Sequence, residues 1–267
     1  CSFQENIFNA LKNLDGLIVY SQSAQRYLKG FTNNCICTHH PIPKELVKLR
    51  SLQLSRSRKK HFGSMCLGVN SWFLDYTNFL TPIEVFNRIR GKDKSAQLKG
   101  EIIGIPKSRL LEVKELTRKI SSGINVFSHI TEDYYQRLSK YMLVLNLSPR
   151  ALAGRTAAEC AVIGTPIIGN IETSLQRLLW PDLSVNPFDI TKITEITFKL
   201  LENDEYHEKE RVKAWELLQK LYTEMPEFKN YLNSWLSKSY SLKYRKGIAN
   251  RVILRKCEMD IQKLNRY

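Results

Sequence analysis

Short apolar runs alternate with amphipathic stretches along most of this chain. Runs at 64–69, 98–105, 124–128, 141–147, 167–168 and 183–185 read as buried strands, because the apolar residues are near-continuous there and Gly, Pro or polar residues bound them. Between them, apolar residues recur at helical spacing over 81–90, 108–120, 132–140, 174–179 and 190–203. Pro82 suits the first turn of the first of these helices, where the missing N–H has no helical acceptor to lose. An earlier unit precedes them: an amphipathic stretch at 7–14, a strand at 17–20, a helix over 22–29 closed by Gly30, and a strand at 35–38 that ends at His39-His40-Pro41-Ile42-Pro43. Strands that alternate with helices of about 10–15 residues predict an α/β fold with a parallel sheet and right-handed crossovers. Ligands of such sheets bind outside the carboxyl ends of the strands.

From residue 204 the pattern is helical throughout. Helices are predicted at 205–224 and, after Pro226, at 227–238. The stretch 243–267 carries eight Lys or Arg among 25 residues, with Ile248, Val252, Ile253, Leu254 and Ile261 at roughly helical spacing. That face can rest on an anionic membrane surface, or it can pack on the body with its basic side in water. Residues 48–62 are polar and basic, hold Arg50, Arg56, Arg58, Lys59 and Lys60, and read as a linker. Without interleaved aromatics they argue against nucleic acid.

The net charge of +15, from 41 Lys and Arg against 26 Asp and Glu, favours an anionic partner such as a nucleotide or a phospholipid surface. Hydrophobic residues make up 43% of the chain, enough for a substantial core. The six cysteines have no disulfide-framework spacing, and Cys66 and Cys160 lie inside apolar segments, so a reducing cytoplasmic setting is expected. No apolar run reaches the about 20 residues that span a bilayer.

The richest chemistry lies at 148–170, Ser-Pro-Arg-Ala-Leu-Ala-Gly-Arg-Thr-Ala-Ala-Glu-Cys-Ala-Val-Ile-Gly-Thr-Pro-Ile-Ile-Gly-Asn. The 141–147 strand runs into a Pro/Gly-broken loop, and a small-residue helix opens near Thr156 and stops at Gly164. Free N–H groups and the positive end of a helix make such a start an anion site. Arg150 and Arg155 flank the loop, so phosphate is the expected ligand, and Glu159 can accept hydrogen bonds from ribose hydroxyls. The same residues also fit a capping box, in which Thr156 and Glu159 satisfy each other's backbone donors. Gly68-Val69-Asn70 and Gly104-Ile105-Pro106-Lys107-Ser108-Arg109 are strand-to-helix turns on the same edge, where Lys107 or Arg109 can help hold phosphate. Cys35, Cys37, His39 and His40 lack the second, separated ligand pair of a zinc site, so they read as an ordinary strand end and no metal is expected. His129 ends a strand at the ligand edge. There is no nucleophile elbow, no Walker loop and no complete Gly-x-Gly-x-x-Gly.

These residues together resemble the nucleotide-sugar-dependent glycosyltransferases of the GT-B type, above all the retaining family 4 and its group 1 relatives. Residues 13–21 look like the last strand unit of the acceptor-side domain, and His40-Pro41-Ile42-Pro43 like its exit into the interdomain linker. The family's motif ends in a second glutamate and a small-residue helix closed by Gly-x-Pro, and Glu159, Gly164 and Pro166 match it without a gap. The resemblance implies a remnant of the acceptor-side domain at 1–47, the linker at 48–62, a Rossmann-like donor domain at 63–203 and a helical basic tail at 204–267. Most of the acceptor-side domain is then expected outside this chain, which begins with Cys and reads as a fragment or a processed product.

By resemblance, Glu159 binds the donor ribose while Gly154, Arg155 and Thr156 face the diphosphate. The family's first glutamate, eight positions earlier, is replaced by Ala151. Asn70 stands near the arginine of its basic pair, and no Lys or Arg occurs between Gly63 and Asn87. Stabilising the leaving group then falls to Arg150, Arg155, Lys107 or Arg109. The implied activity is transfer of a sugar from a nucleotide-diphosphate sugar, without a cofactor, to a glycan, lipid-linked or protein acceptor. The alternative is a non-catalytic binding or assembly subunit on the same scaffold. A cytoplasmic location, with peripheral contact at a membrane, goes with either.

Overall fold

The computed structural model describes residues 9, 17–20, 22–30, 35–37, 64–69, 78, 80–92, 98–128, 134–150 and 153–224. All of them fall in one unit, Cys1–Glu224, of the two into which the chain divides. Asn70, Ala151, His39, His40, His129, the 48–62 linker and the helices expected after residue 224 lie outside the described residues.

The earlier unit is a small parallel pair. β1 (Leu17–Val19) and β2 (Cys35–Cys37) are joined through α1 (Gln22–Leu28), and Leu17 pairs with Cys35. The main sheet is built from β3 (Ser64–Val69), β4 (Lys99–Ile105), β5 (Ile124–Ser128), β6 (Leu143–Asn146), β7 (Ile167–Asn170) and β8 (Ser184–Val185). The helices between them are α2 (Leu80–Lys92), α3 (Leu110–Ile120), α4 (Tyr134–Leu138), α5 (Arg155–Ile163) and α6 (Ser174–Leu179), and α7 (Ile190–Glu202) and α8 (Asp204–Glu224) follow the sheet. All its strands are parallel, in the order β5-β4-β3-β6-β7-β8. The chain winds outward from β3 to β5, returns to the centre at β6, and winds outward again. That order is the doubly wound dinucleotide-fold order, and its switch point lies between β3 and β6.

Each element follows from its residues. Leu143, Val144 and Leu145 are fully buried because helices cover both faces of the sheet. Ile83, Phe86 and Ile89 line the buried stripe of α2, and Val113 and Thr117 that of α3. In α5 every residue from Ala157 to Ile163 is buried, since the helix packs against β7, α4, α6 and α8 together. Alanines and a cysteine permit that enclosure, where larger side chains would hold the neighbours off. The α3 helix is shorter than expected, because Lys107–Arg109 form a 3-10 turn ahead of it. The described part of α4 runs from Tyr134 to Leu138, and Ser139 and Lys140 form a turn after it.

Helix α8 packs against α5, α6 and α7. It brings buried charge with it. Glu210 is 1% exposed and lies among Asp182, Lys213, Lys209 and Tyr206, while Arg211 pairs with Glu208 at 2.8 Å and Lys213 with Asp182 at 2.6 Å. Burial first, and the Asp182 charge second, push the Glu210 carboxyl above its ordinary range, while Lys213 holds Asp182 below its own. The two have opposite linkage. Glu210 contributes stability that is complete below the unfolded carboxyl pKa of about 4.3 and is lost as pH rises through the folded value. Asp182 contributes above its unfolded value and loses that as pH falls. Glu210→Gln is therefore expected to raise the urea midpoint at pH 8, with the gap closing toward pH 4. A variant less stable than the parent at pH 8 would show that the Glu210 carboxylate is compensated in the fold.

Candidate functional site

The carboxyl end of β6 feeds the loop singled out above. Leu147 is buried, Ser148 half-buried, and Arg150 exposed. Asn170, buried at the end of β7, shapes this loop: its Nδ2 donates to the Ser148 carbonyl at 2.9 Å and the Arg150 carbonyl at 3.5 Å. Its Oδ1 accepts the Glu172 amide at 2.9 Å, so the loop is tied to the next strand's exit.

The chain then reaches Gly154, with φ +90°, which caps α5. Its carbonyl accepts the Ala157 and Ala158 amides at 3.0 and 3.3 Å. The Ala153 carbonyl accepts the Leu175 amide at 3.1 Å, which fastens the turn to the start of α6. Among the described residues no side chain caps α5, and the expected Thr156–Glu159 capping box does not form. The physical reason is the left-handed Gly154, which starts the helix at Arg155, puts Thr156 inside it and leaves Glu159 two positions too deep to reach back. That leaves the Arg155 and Thr156 amides, at the loop that follows β6, ahead of the first bonded amide of the helix.

Glu159 is only 3% exposed, and its carboxylate is engaged. Oε1 accepts Arg155 Nε at 2.7 Å and the Tyr135 hydroxyl at 3.3 Å, while Oε2 accepts the Tyr134 hydroxyl at 3.1 Å. Arg155 Nη2 also donates to the Tyr135 hydroxyl at 3.2 Å. A buried carboxylate with a cation and two hydroxyl donors satisfies the condition for burying charge. The two tyrosine rings meet edge to face at 5.1 Å, and burial, followed by the Glu159 charge, pushes the ionisation of both phenols to higher pH. They remain neutral donors at physiological pH.

A second polar cluster holds α4, and so the tyrosines, against the sheet. Glu101 on β4 accepts the Tyr141 hydroxyl at 2.7 Å and Arg137 Nη1 at 3.1 Å. The Arg137 guanidinium lies over the Phe127 ring at 4.2 Å.

The site residues expected from sequence divide into groups. Gly154, Arg155, Thr156 and Glu159 come together at the start of α5, with Arg150 on the loop before it. Lys107 and Arg109 follow β4, one strand beyond β3 and so about two strand spacings, roughly 10 Å, from β6. Lys107 is exposed, while Arg109 is half-buried and engages Glu112 through two bonds of 3.1 Å. That pairing spends part of its charge. Tyr134 and Tyr135 escaped the sequence reading. Their position in the helix that follows β5 was a usable signal, because that helix starts at the ligand edge.

Among the described residues no three His, Cys, Asp or Glu side chains gather as a metal-binding group. Burial pushes the Cys66 thiol up to about 12, and Cys160 is raised by the same cause, so neither is a nucleophile at neutral pH. No described helix is long and apolar enough to cross a membrane.

No protein-family model and no curated sequence matches the chain. Solved structures do. S. aureus TarM, as a point mutant in complex with fondaparinux, alpha-GlcNAc-glycerol and UDP, aligns with a TM-score of 0.64 at 16% identity, over 89% of this chain and 46% of TarM. The alpha,alpha-trehalose 6-phosphate synthase from Burkholderia multivorans aligns with a TM-score of 0.66 at 12% identity, over 90% of this chain and 63% of the synthase. WaaG, a glycosyltransferase involved in lipopolysaccharide biosynthesis, aligns with a TM-score of 0.53 at 12% identity, over 76% of this chain and 58% of WaaG. This chain thus spans between 46% and 63% of the length of these proteins. It has the fold of the GT-B glycosyltransferases, carried here by one Rossmann-like six-stranded sheet.

Proposed function

We propose that the chain is the donor-binding part of an enzyme that transfers a sugar from a nucleotide-diphosphate sugar to a glycan, lipid-linked or protein acceptor, with retained configuration. One observation carries the reading. The uncapped start of α5 opens at the carboxyl edge beside the β3/β6 switch point, with Arg155 and Glu159 on its first turns. On this reading Gly154, Arg155 and Thr156 face the diphosphate and Glu159 serves the nucleoside. Arg150 and Lys107 follow strands β6 and β4 at the same edge, with Arg109 as a partly committed cation. The bond between the sugar and the diphosphate breaks with its electron pair on the diphosphate, and these cations would stabilise that charge. The donor is the substrate and no cofactor is required.

The second reading is a non-catalytic binding or assembly subunit on the same fold. Two features favour it: by the resemblance, Ala151 stands where the family carries its first glutamate, and the Glu159 carboxylate already accepts three hydrogen bonds from its own neighbours.

Calorimetric titration with UDP-, GDP- and ADP-sugars tests both. Binding of a nucleotide sugar at one site is the result expected of the donor part, and absence of binding removes the donor site altogether. Release of nucleoside diphosphate when acceptor sugars are added, with the acceptor-side domain supplied, is expected of the enzyme, and binding without release under those conditions selects the subunit reading. Glu159→Ala is expected to weaken donor binding by about tenfold to a hundredfold, the loss from removing a charged hydrogen-bond partner.

A further inference from the structure

The Glu159 carboxylate offers two acceptor positions on each oxygen. Among the described residues, Oε1 is filled by Arg155 and Tyr135, and Oε2 has one position left beside Tyr134. A ribose diol that addresses both oxygens needs a position on each, so a donor on Oε1 must leave. Tyr135 holds Oε1 by the longest of the three bonds, 3.3 Å, and is itself held by Arg155 Nη2 at 3.2 Å. The Arg155 side chain is 59% exposed, against 5% for that of Glu159. Arg155 is also the first residue of α5, where a cation meets the positive end of the helix. An anion bound there relieves that repulsion and competes with Glu159 for the guanidinium.

We propose that Arg155, linked to Tyr135, is a specificity-determining latch on Glu159, which a diphosphate opens by drawing the guanidinium off the carboxylate. The inference rests on the donor-nucleotide reading above. It makes phosphate and ribose recognition reciprocal: each favours the open form, so binding of one strengthens the other. A nucleoside alone must open the latch itself, and its apparent affinity falls by the fraction of molecules that are open. The site then takes nucleoside diphosphates and discriminates against nucleosides, although both carry the same ribose.

The test is calorimetric titration of the whole chain with uridine, guanosine and adenosine and with their diphosphates, using the base whose diphosphate binds. Arg155→Ala is expected to bind the nucleoside about threefold to tenfold more tightly than the parent, since the competing donor is gone. The same variant is expected to lose about tenfold in affinity for the diphosphate. Tyr135→Phe moves nucleoside affinity in the same direction by less, and decides the matter if Arg155→Ala does not fold. Adding Glu159→Gln to Arg155→Ala is expected to cancel the nucleoside gain. Nucleoside affinity unchanged or weakened in both latch variants would overturn the latch, while diphosphate binding by the parent would leave the donor reading standing. A parent chain that binds no nucleoside diphosphate would remove the donor reading, and the latch with it.

Discussion

Replacing Trp180 with alanine is expected to lower the stability of the fold by about 3–5 kcal/mol, the range for emptying a large aromatic site in a core. Trp180 is fully buried, and it ends α6 where that helix meets the β7–β8 connection. Its indole N–H donates to the Ala157 carbonyl at 3.0 Å, so the same side chain fills the core and grips the first turns of α5. Its own carbonyl accepts the Leu183 amide at 3.0 Å and the Ser184 hydroxyl at 2.9 Å, which pins the turn on the other side. The surroundings cannot close over the void, because each neighbour is held by its own backbone bonds. The measurement is urea unfolding: the midpoint should fall with the slope unchanged. A loss under about 1 kcal/mol would mean that the site collapses and that α5 does not depend on this anchor.

The alternation of apolar runs and amphipathic stretches was sufficient to place strands β3 to β8 and the helices among them, because each is a local pattern with local stop signals. Gly164 closes α5 at φ +83°, as a glycine after the last apolar residue should. The order of the strands was not readable. Alternation requires parallel neighbours but does not say where the winding reverses, and the pairing of β3 with β6 joins Met65 to Leu143 across a long stretch of sequence. The site divides in the same way. Arg155 and Glu159 are four positions apart on one helix face, so their proximity was visible in the sequence. Tyr134 and Tyr135 reach Glu159 from another helix, and only the tertiary packing of α4 on α5 brings them there. The capping box failed for a related reason: its sequence is present, but the backbone before it is bent by a contact with α6 that no local pattern records. Glu210 reads on sequence as one of several charges along a polar helix, yet α8 turns it inward.

That bend is the second feature on which the site depends. Gly154→Ala is expected to destabilise the chain by about 2–4 kcal/mol, from a left-handed residue that gains a side chain and from overpacking. At φ +90° the backbone conformation alone disfavours any L side chain. Space disfavours it further: a Cβ would sit 2.9 Å from Leu175 Cβ, 2.9 Å from Thr173 Cγ2 and 3.1 Å from the Leu175 amide nitrogen. The last contact cannot be relieved by a rotamer change, because that amide is the one bonded to the Ala153 carbonyl. Gly91, by comparison, has open space where its Cβ would stand, so the expected loss belongs to this turn and not to glycine replacement in general. Relief must come from moving the 153–154 segment away from α6, which displaces the first amides of α5 and Arg155 together. On the proposed donor reading, nucleotide affinity should therefore fall well below that of the parent even where thermal unfolding shows the variant still folded. A variant that keeps both its melting temperature and its nucleotide affinity would show that the turn tolerates a side chain and that its close approach to α6 is not what sets the site.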